Sequence, residues 1–182
     1  GGTTQASALA LREYLLQSYA GLLDFIDSDL LINGDLFDKF SIDLGDLLRA
    51  YYFTSDWLHA HPYVCLFLAN GNHDIEKDST KTSSFDLFAK LLQARFPAQV
   101  VVINEPMVLP DHDAYVIPHL RNQEIFDAAL AQVPEVGTLY LHCNYDNFFA
   151  INSDNSLNLS EAQARKLPAK RIVFGHEHQA KT

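Results

Sequence analysis

Four short apolar runs in this chain each break off beside residues that can bind a metal ion, and that recurrence constrains the fold more than any other feature. Residues 30–32 stop at Asn33-Gly34 and lead to Asp35 and Asp38; residues 63–69 stop at Asn70-Gly71 and lead to Asn72, His73 and Asp74. Residues 139–141, inside a strand expected over 137–143, lead to His142, and residues 171–174 stop at Gly175 before His176 and His178. Runs this short and this continuous suit strands buried on both faces.

Stretches with helical spacing lie between them. Residues 4–20 carry Leu9, Leu11, Tyr14, Leu15, Leu16 and Tyr19 on a helical repeat, with Gly21 placed as a C-cap. Further helices are expected over 42–59, from Ser83 or Ser84 to Phe96, and over 123–133, and Ser160 with Gln163 has the form of a capping box opening a short one. Residues 100–103 and 114–117 have the pattern of additional strands, with a short one near 107–109. The alternation predicts an α/β domain with a largely parallel sheet. Parallel strands present their carboxyl ends at one edge, where the ligands of such sheets gather, so groups far apart in the chain are expected to converge there.

Imidazole, carboxylate and carboxamide oxygen are ligands for Mn, Fe, Zn or Ni, and the absence of a Cys-x-x-Cys pair argues against a thiolate zinc site. Asp35 has two oxygens with which to bridge a pair of ions. Singly, each residue has a plainer use: Asp35 as a turn residue after Gly34, His142 as a satisfied core histidine. Agreement among all four strand ends decides for a site.

At 182 residues the chain has the size of one domain, expected to span 1–182. With 23 acidic against 13 basic side chains its net charge is −10, which excludes an overall positive field for a phosphate backbone; bound cations would reverse the sign locally. A nuclease should add a basic cluster near the metal loops, and only Lys166, Lys170 and Arg171 lie close together in the sequence. The longest apolar stretches fall far short of the roughly 20 residues that cross a bilayer, so no membrane association is expected. Arg12 and Glu13 interrupt any signal-peptide pattern, and two cysteines, Cys65 and Cys143, cannot form a disulfide framework, which favours the cytoplasm.

Gly34-Asp35-Leu36-Phe37-Asp38, Gly71-Asn72-His73-Asp74, His142 at a strand end and Gly175-His176-Glu177-His178, in this order, resemble the motifs of the calcineurin-like metallophosphoesterases. The resemblance implies a β-sandwich flanked by helices, with two divalent ions, Mn first and Fe, Zn or Ni as alternatives. Asp35 would bridge the ions, Asn72, His142 and His176 would complete one position, and His178 would serve the other. His73 would protonate the leaving oxygen, Asp38 would orient its ring, and Asp74 would shape the loop. Residues 115–121 are similar to a segment of the phage and bacterial DNA-repair exonuclease branch, which would set His119 and Arg121 against a phosphodiester. Residues 142–149 and 156–158 also look like that branch; Tyr145, Phe148 and Phe149 could stack on bases but have a plainer use in packing the loop.

The activity so implied is hydrolysis of a phosphodiester, with DNA as the candidate polymer and exonuclease as the leading form. A small-molecule phosphodiesterase or phosphomonoesterase and a non-catalytic scaffold are the rivals. No protein partner is indicated. The family's first strand carries an Asp-x-His motif that nothing before residue 34 supplies, so the domain is expected to be incomplete at both ends, lacking its first and last strands.

Overall fold

The structure is a computed structural model that describes residues 2–74, 81–147 and 156–176. In chain order its elements are α1 (Gly2–Leu23), β1 (Leu30–Asn33), α2 (Leu44–Ala60), β2 (Leu66–Ala69), α3 (Ser84–Arg95), β3 (Val100–Ile103), β4 (Met107–Leu109), β5 (Ala114–Ile117), α4 (Gln123–Leu130), β6 (Val136–Leu141), β7 (Asn144–Tyr145), β8 (Asn158–Leu159), α5 (Glu161–Ala164) and β9 (Ala169–Phe174). It is a mixed α/β architecture whose strand pairing is largely parallel, as expected, but the single sheet is corrected: among the described residues the strands form two main sheets and a small pair. One has the parallel order β1-β2-β3, the other the order β4-β5-β6-β9 with β4 antiparallel to β5 and the rest parallel, and β7 pairs with β8.

The break between sheets falls where β3 gives way to β4. Residues 104–106 are too few for a crossover back into a parallel sheet, which needs a dozen or more. The chain instead enters the second sheet, then reverses through a 3-10 turn, Pro110–His112, with Asp113 in the left-handed region at φ 46°.

Period-2 alternation divides each strand between two cores. Leu66, Leu68 and Val100 face Leu47, Trp57, Leu58, Phe85, Phe88 and Leu92 of α2, α3 and their flanks. Phe67, Ala69 and Ile103 point the other way and meet Leu109, Ala114 and Val116 of the second sheet. On that sheet's far side Tyr115, Ile117, Leu139 and Leu141 pack with Phe126 and Leu130 of α4 and with Leu157 and Leu159. The layers therefore run helix, sheet, sheet, helix.

Registers align Asn33 with Ala69 and Ala69 with Ile103 in one sheet, and Ile117 with Leu141 and Leu141 with Phe174 in the other. Both sets of carboxyl ends lie on the same edge, tied by Asn33 Nδ2 donating to the Leu141 carbonyl (3.0 Å) and by the His119 N–H donating to the Asn70 carbonyl (2.9 Å).

Some boundaries differ from expectation. α1 runs through Gly21 to Leu23, so that glycine is not its cap, and Leu9, Leu11, Tyr14 and Leu15 are exposed while Leu16 and Tyr19 pack inward. Residues 63–65 lie outside β2, with Tyr63 exposed. The capping boxes at Ser83 with Asp86 and at Ser160 with Gln163 both form. Among the described residues no helix is long and apolar enough to cross a membrane.

Candidate metal centre

At the end of β1 the backbone turns sharply: Gly34 has φ 86° and Asp35 φ 51°, both left-handed. Gly34 also lies so close to the second sheet that a Cβ would sit 2.1 Å from Nδ1 of His142, so only glycine fits there. The turn brings Asp35 Oδ2 to 3.1 Å from His142 Nε2 and 4.0 Å from His176 Nδ1. From the loop after β2, Asn72 Oδ1 lies 3.0 Å from His142 Nε2 and 2.9 Å from His176 Nδ1. One ligand atom each from Asp35, His142 and His176 lies within 4.8 Å of the others. Thus the first sheet supplies a carboxylate and a carboxamide, and the second supplies two imidazoles.

The surroundings fix which atoms face inward. His142 is buried and its Nδ1 is 2.8 Å from the Asn33 carbonyl; a carbonyl only accepts, so Nδ1 carries a proton and Nε2 turns to the cluster. There Nε2 meets Asp35 Oδ2 and Asn72 Oδ1, which are also acceptors. Lone pairs this close require a proton or a cation between them. One carboxylate, one carboxamide oxygen and two imidazole nitrogens form a set that fits Mn, Fe, Zn or Ni.

Burial opposes the charge on Asp35, but the adjacent imidazoles of His142 and His176 and the donated N–H of His73 (3.0 Å) overcome it and hold the carboxyl well below the usual range. Asp74 behaves oppositely. It is 3% exposed, and burial pushes it up to about 6 although Gly71 N–H (2.7 Å) and Asp35 N–H (3.2 Å) both donate to its Oδ2. Asp74 thereby clamps the two loops together, the loop-shaping use expected of it. Burial pushes His119 down to about 4, with neighbouring His142 acting the same way.

Of the expected site residues, Asp35, Asn72, His142 and His176 are brought together. His178 lies outside the described residues, as do Phe148 and Phe149. His73 and Asp38 are both exposed, and among the described residues no hydrogen bond or ion pair joins their side chains. His119 is buried with its ring centroid 6.1 Å from that of His142; it and exposed Arg121 line a groove of about 660 Å³. Tyr145 packs its ring against Phe174, and Cys143 is buried in the core of the second sheet. Asn33 was legible only as a strand stop, yet its carbonyl orients His142 and its amide ties the sheets. Its position one residue before Gly34-Asp35 was the available signal.

A comparison with protein-family models finds none that matches this chain, and a comparison with curated proteins finds none either.

Proposed function

We propose that this protein is a divalent-metal-dependent phosphoesterase that hydrolyses phosphodiester bonds, with a nuclease acting on DNA ends as its leading form. The observation that carries the reading is the convergence of Asp35, Asn72, His142 and His176 from two sheets onto one point. Stacked sheets with helices outside and ligands at the carboxyl edge also agree with the metallophosphoesterase-type sandwich that the sequence motifs imply.

A divalent ion there, Mn first among the candidates, would supply a water acidic enough to yield hydroxide near neutral pH and positive charge for the phosphoryl oxygens. Asp35, whose carboxylate has a second oxygen, would also serve a second position together with His178, as the sequence motifs imply. His73, whose backbone donates to Asp35, is the proposed proton donor to the leaving oxygen, and Asp38 its orienter. Arg121 and His119 line the groove that would take the substrate. The separation of His73 from Asp38 favours a second reading, a metal-binding scaffold without turnover.

Calorimetric titration with Mn(II) and hydrolysis of a bis-aryl phosphodiester test both. The variant combining Asp35→Asn with His176→Ala should weaken Mn binding by at least about 100-fold, the upper end of what removing even an outer-shell partner does. Unchanged metal binding in that variant refutes the site; intact binding with no hydrolysis of any phosphodiester selects the scaffold.

A further inference from the structure

Three polar residues that line the groove beside the ligand cluster, each more than nine-tenths buried, carry a buried side-chain atom lacking any hydrogen-bond partner: Asn70 Oδ1, Asp74 Oδ1 and His119 Nδ1. Buried polar atoms are normally paired, and a wall with three unpaired ones has unspent capacity for a ligand. Asp74 connects this floor to the cluster, since its other oxygen accepts from Asp35 N–H. The apolar part of the lining is formed by Phe40, Pro106, Leu120, Ile125 and Ala129, with Ile125 46% exposed.

Charge narrows the ligand. Arg121 and Lys81 lie on the groove against Asp74, Asp86 and Glu105, so carboxylates outnumber cations. A run of nucleic-acid backbone, with one negative charge per nucleotide, would be repelled along such a lining. A flat heterocycle with polar edges and apolar faces meets no such penalty, and a groove of about 660 Å³ is within the range of small-ligand sites.

Building on the phosphoesterase reading, we propose that this groove holds a single terminal nucleoside, the one joined to the phosphate at the Asp35–His142–His176 cluster. The base lies against the apolar part of the lining, its N–H groups pair with Asn70 and Asp74, and its ring nitrogens pair with His119. Seating it involves a side-chain rotation that brings these atoms to the groove surface. The site is thereby matched to chain ends or to short phosphodiesters.

The test uses the full chain with three probes: Mn(II) alone, deoxyadenosine 5′-monophosphate, and 2-deoxyribose 5-phosphate. In the presence of Mn(II) the nucleotide should bind about tenfold or more tightly than the sugar phosphate, the effect expected of one stacked base. Ile125→Trp, which fills the groove from α4, should erase that preference and leave Mn(II) affinity unchanged. In the wild type, methyl resonances of Ile125 and Ala129 should shift on adding deoxyadenosine without metal, a measurement that does not depend on the variant folding. Equal affinity for the two phosphates, or a base preference that survives Ile125→Trp, overturns the proposal. Absent Mn(II) binding with the methyl shifts intact removes the phosphoesterase reading and keeps the nucleoside pocket; Mn(II) binding without base preference does the reverse.

Discussion

Asp74 and His119 make opposite and nearly equal contributions to stability in mildly acidic solution, and substituting either one should uncover the other. Asp74 is raised from 3.8 to about 6, so between those values the unfolded chain has released a proton that the folded chain keeps, and stability falls as pH rises. His119 is lowered from 6.5 to about 4; there the unfolded chain holds the extra proton, and stability rises with pH. At ~1.4 kcal/mol per pKa unit, each amounts to ~3 kcal/mol over its window. Between pH 4 and 6 the two slopes largely cancel.

The assay is urea denaturation of wild type, His119→Gln and Asp74→Asn from pH 4 to 7 in a chelator, compared as differences from wild type so that groups common to all three drop out. Relative to wild type, His119→Gln should lose ~3 kcal/mol on going from pH 4 to 6, and Asp74→Asn should gain about as much. Differences that stay flat with pH, or that slope the same way, would refute the opposed protonation of the two groups.

Two further outcomes follow from local geometry. Gly34→Ala should destabilise by roughly 1–2 kcal/mol from the left-handed backbone alone, and it should also weaken Mn(II) binding because its Cβ meets the His142 ring; a melt and a metal titration check this, and normal metal affinity would contradict it. Ser83→Ala removes the side-chain half of a capping box on α3 and should cost about 1 kcal/mol in urea denaturation, with Mn(II) affinity unaffected because the helix start holds none of the ligands.

The candidate site was more legible than the fold around it. Asp35, Asn72, His142 and His176 all follow apolar runs at a glycine or a strand end, and the carboxyl edge of a parallel sheet is where such residues meet whichever sheet each strand joins. Sheet membership itself was not legible, because β2 and β5 are buried on both faces in the same way and apolar pattern carries no information on which neighbour a strand takes. The short link at residues 104–106 was the clue to the second sheet. α1 is apolar around much of its circumference, so spacing alone did not distinguish inward Leu16 and Tyr19 from outward Leu11 and Leu15. At Gly21 the packing of Leu23 outweighs a glycine's modest helix penalty. The parts played by Asn33 and Asp74 depend on a carbonyl and two N–H groups from elsewhere in the fold, which no side-chain pattern encodes.

The division of the four ligands between two sheets has a consequence for the chain during its own synthesis. Asp35 and Asn72 emerge early, whereas His176 emerges last and closes the set only after β9 has paired with β6 and the two sheets have stacked. An ion held by all four would therefore bind the finished sandwich and neither sheet alone. At a concentration 100 times its dissociation constant it would deepen the native state by ~2.7 kcal/mol, and that gain would act both on the docking of the sheets and on the pairing of β1 with β2 and of β6 with β9, whose ends carry the ligands. Metal occupancy would then report completion: until Gly175 and His176 have been added and β9 has paired with β6, only three of the four donors are present.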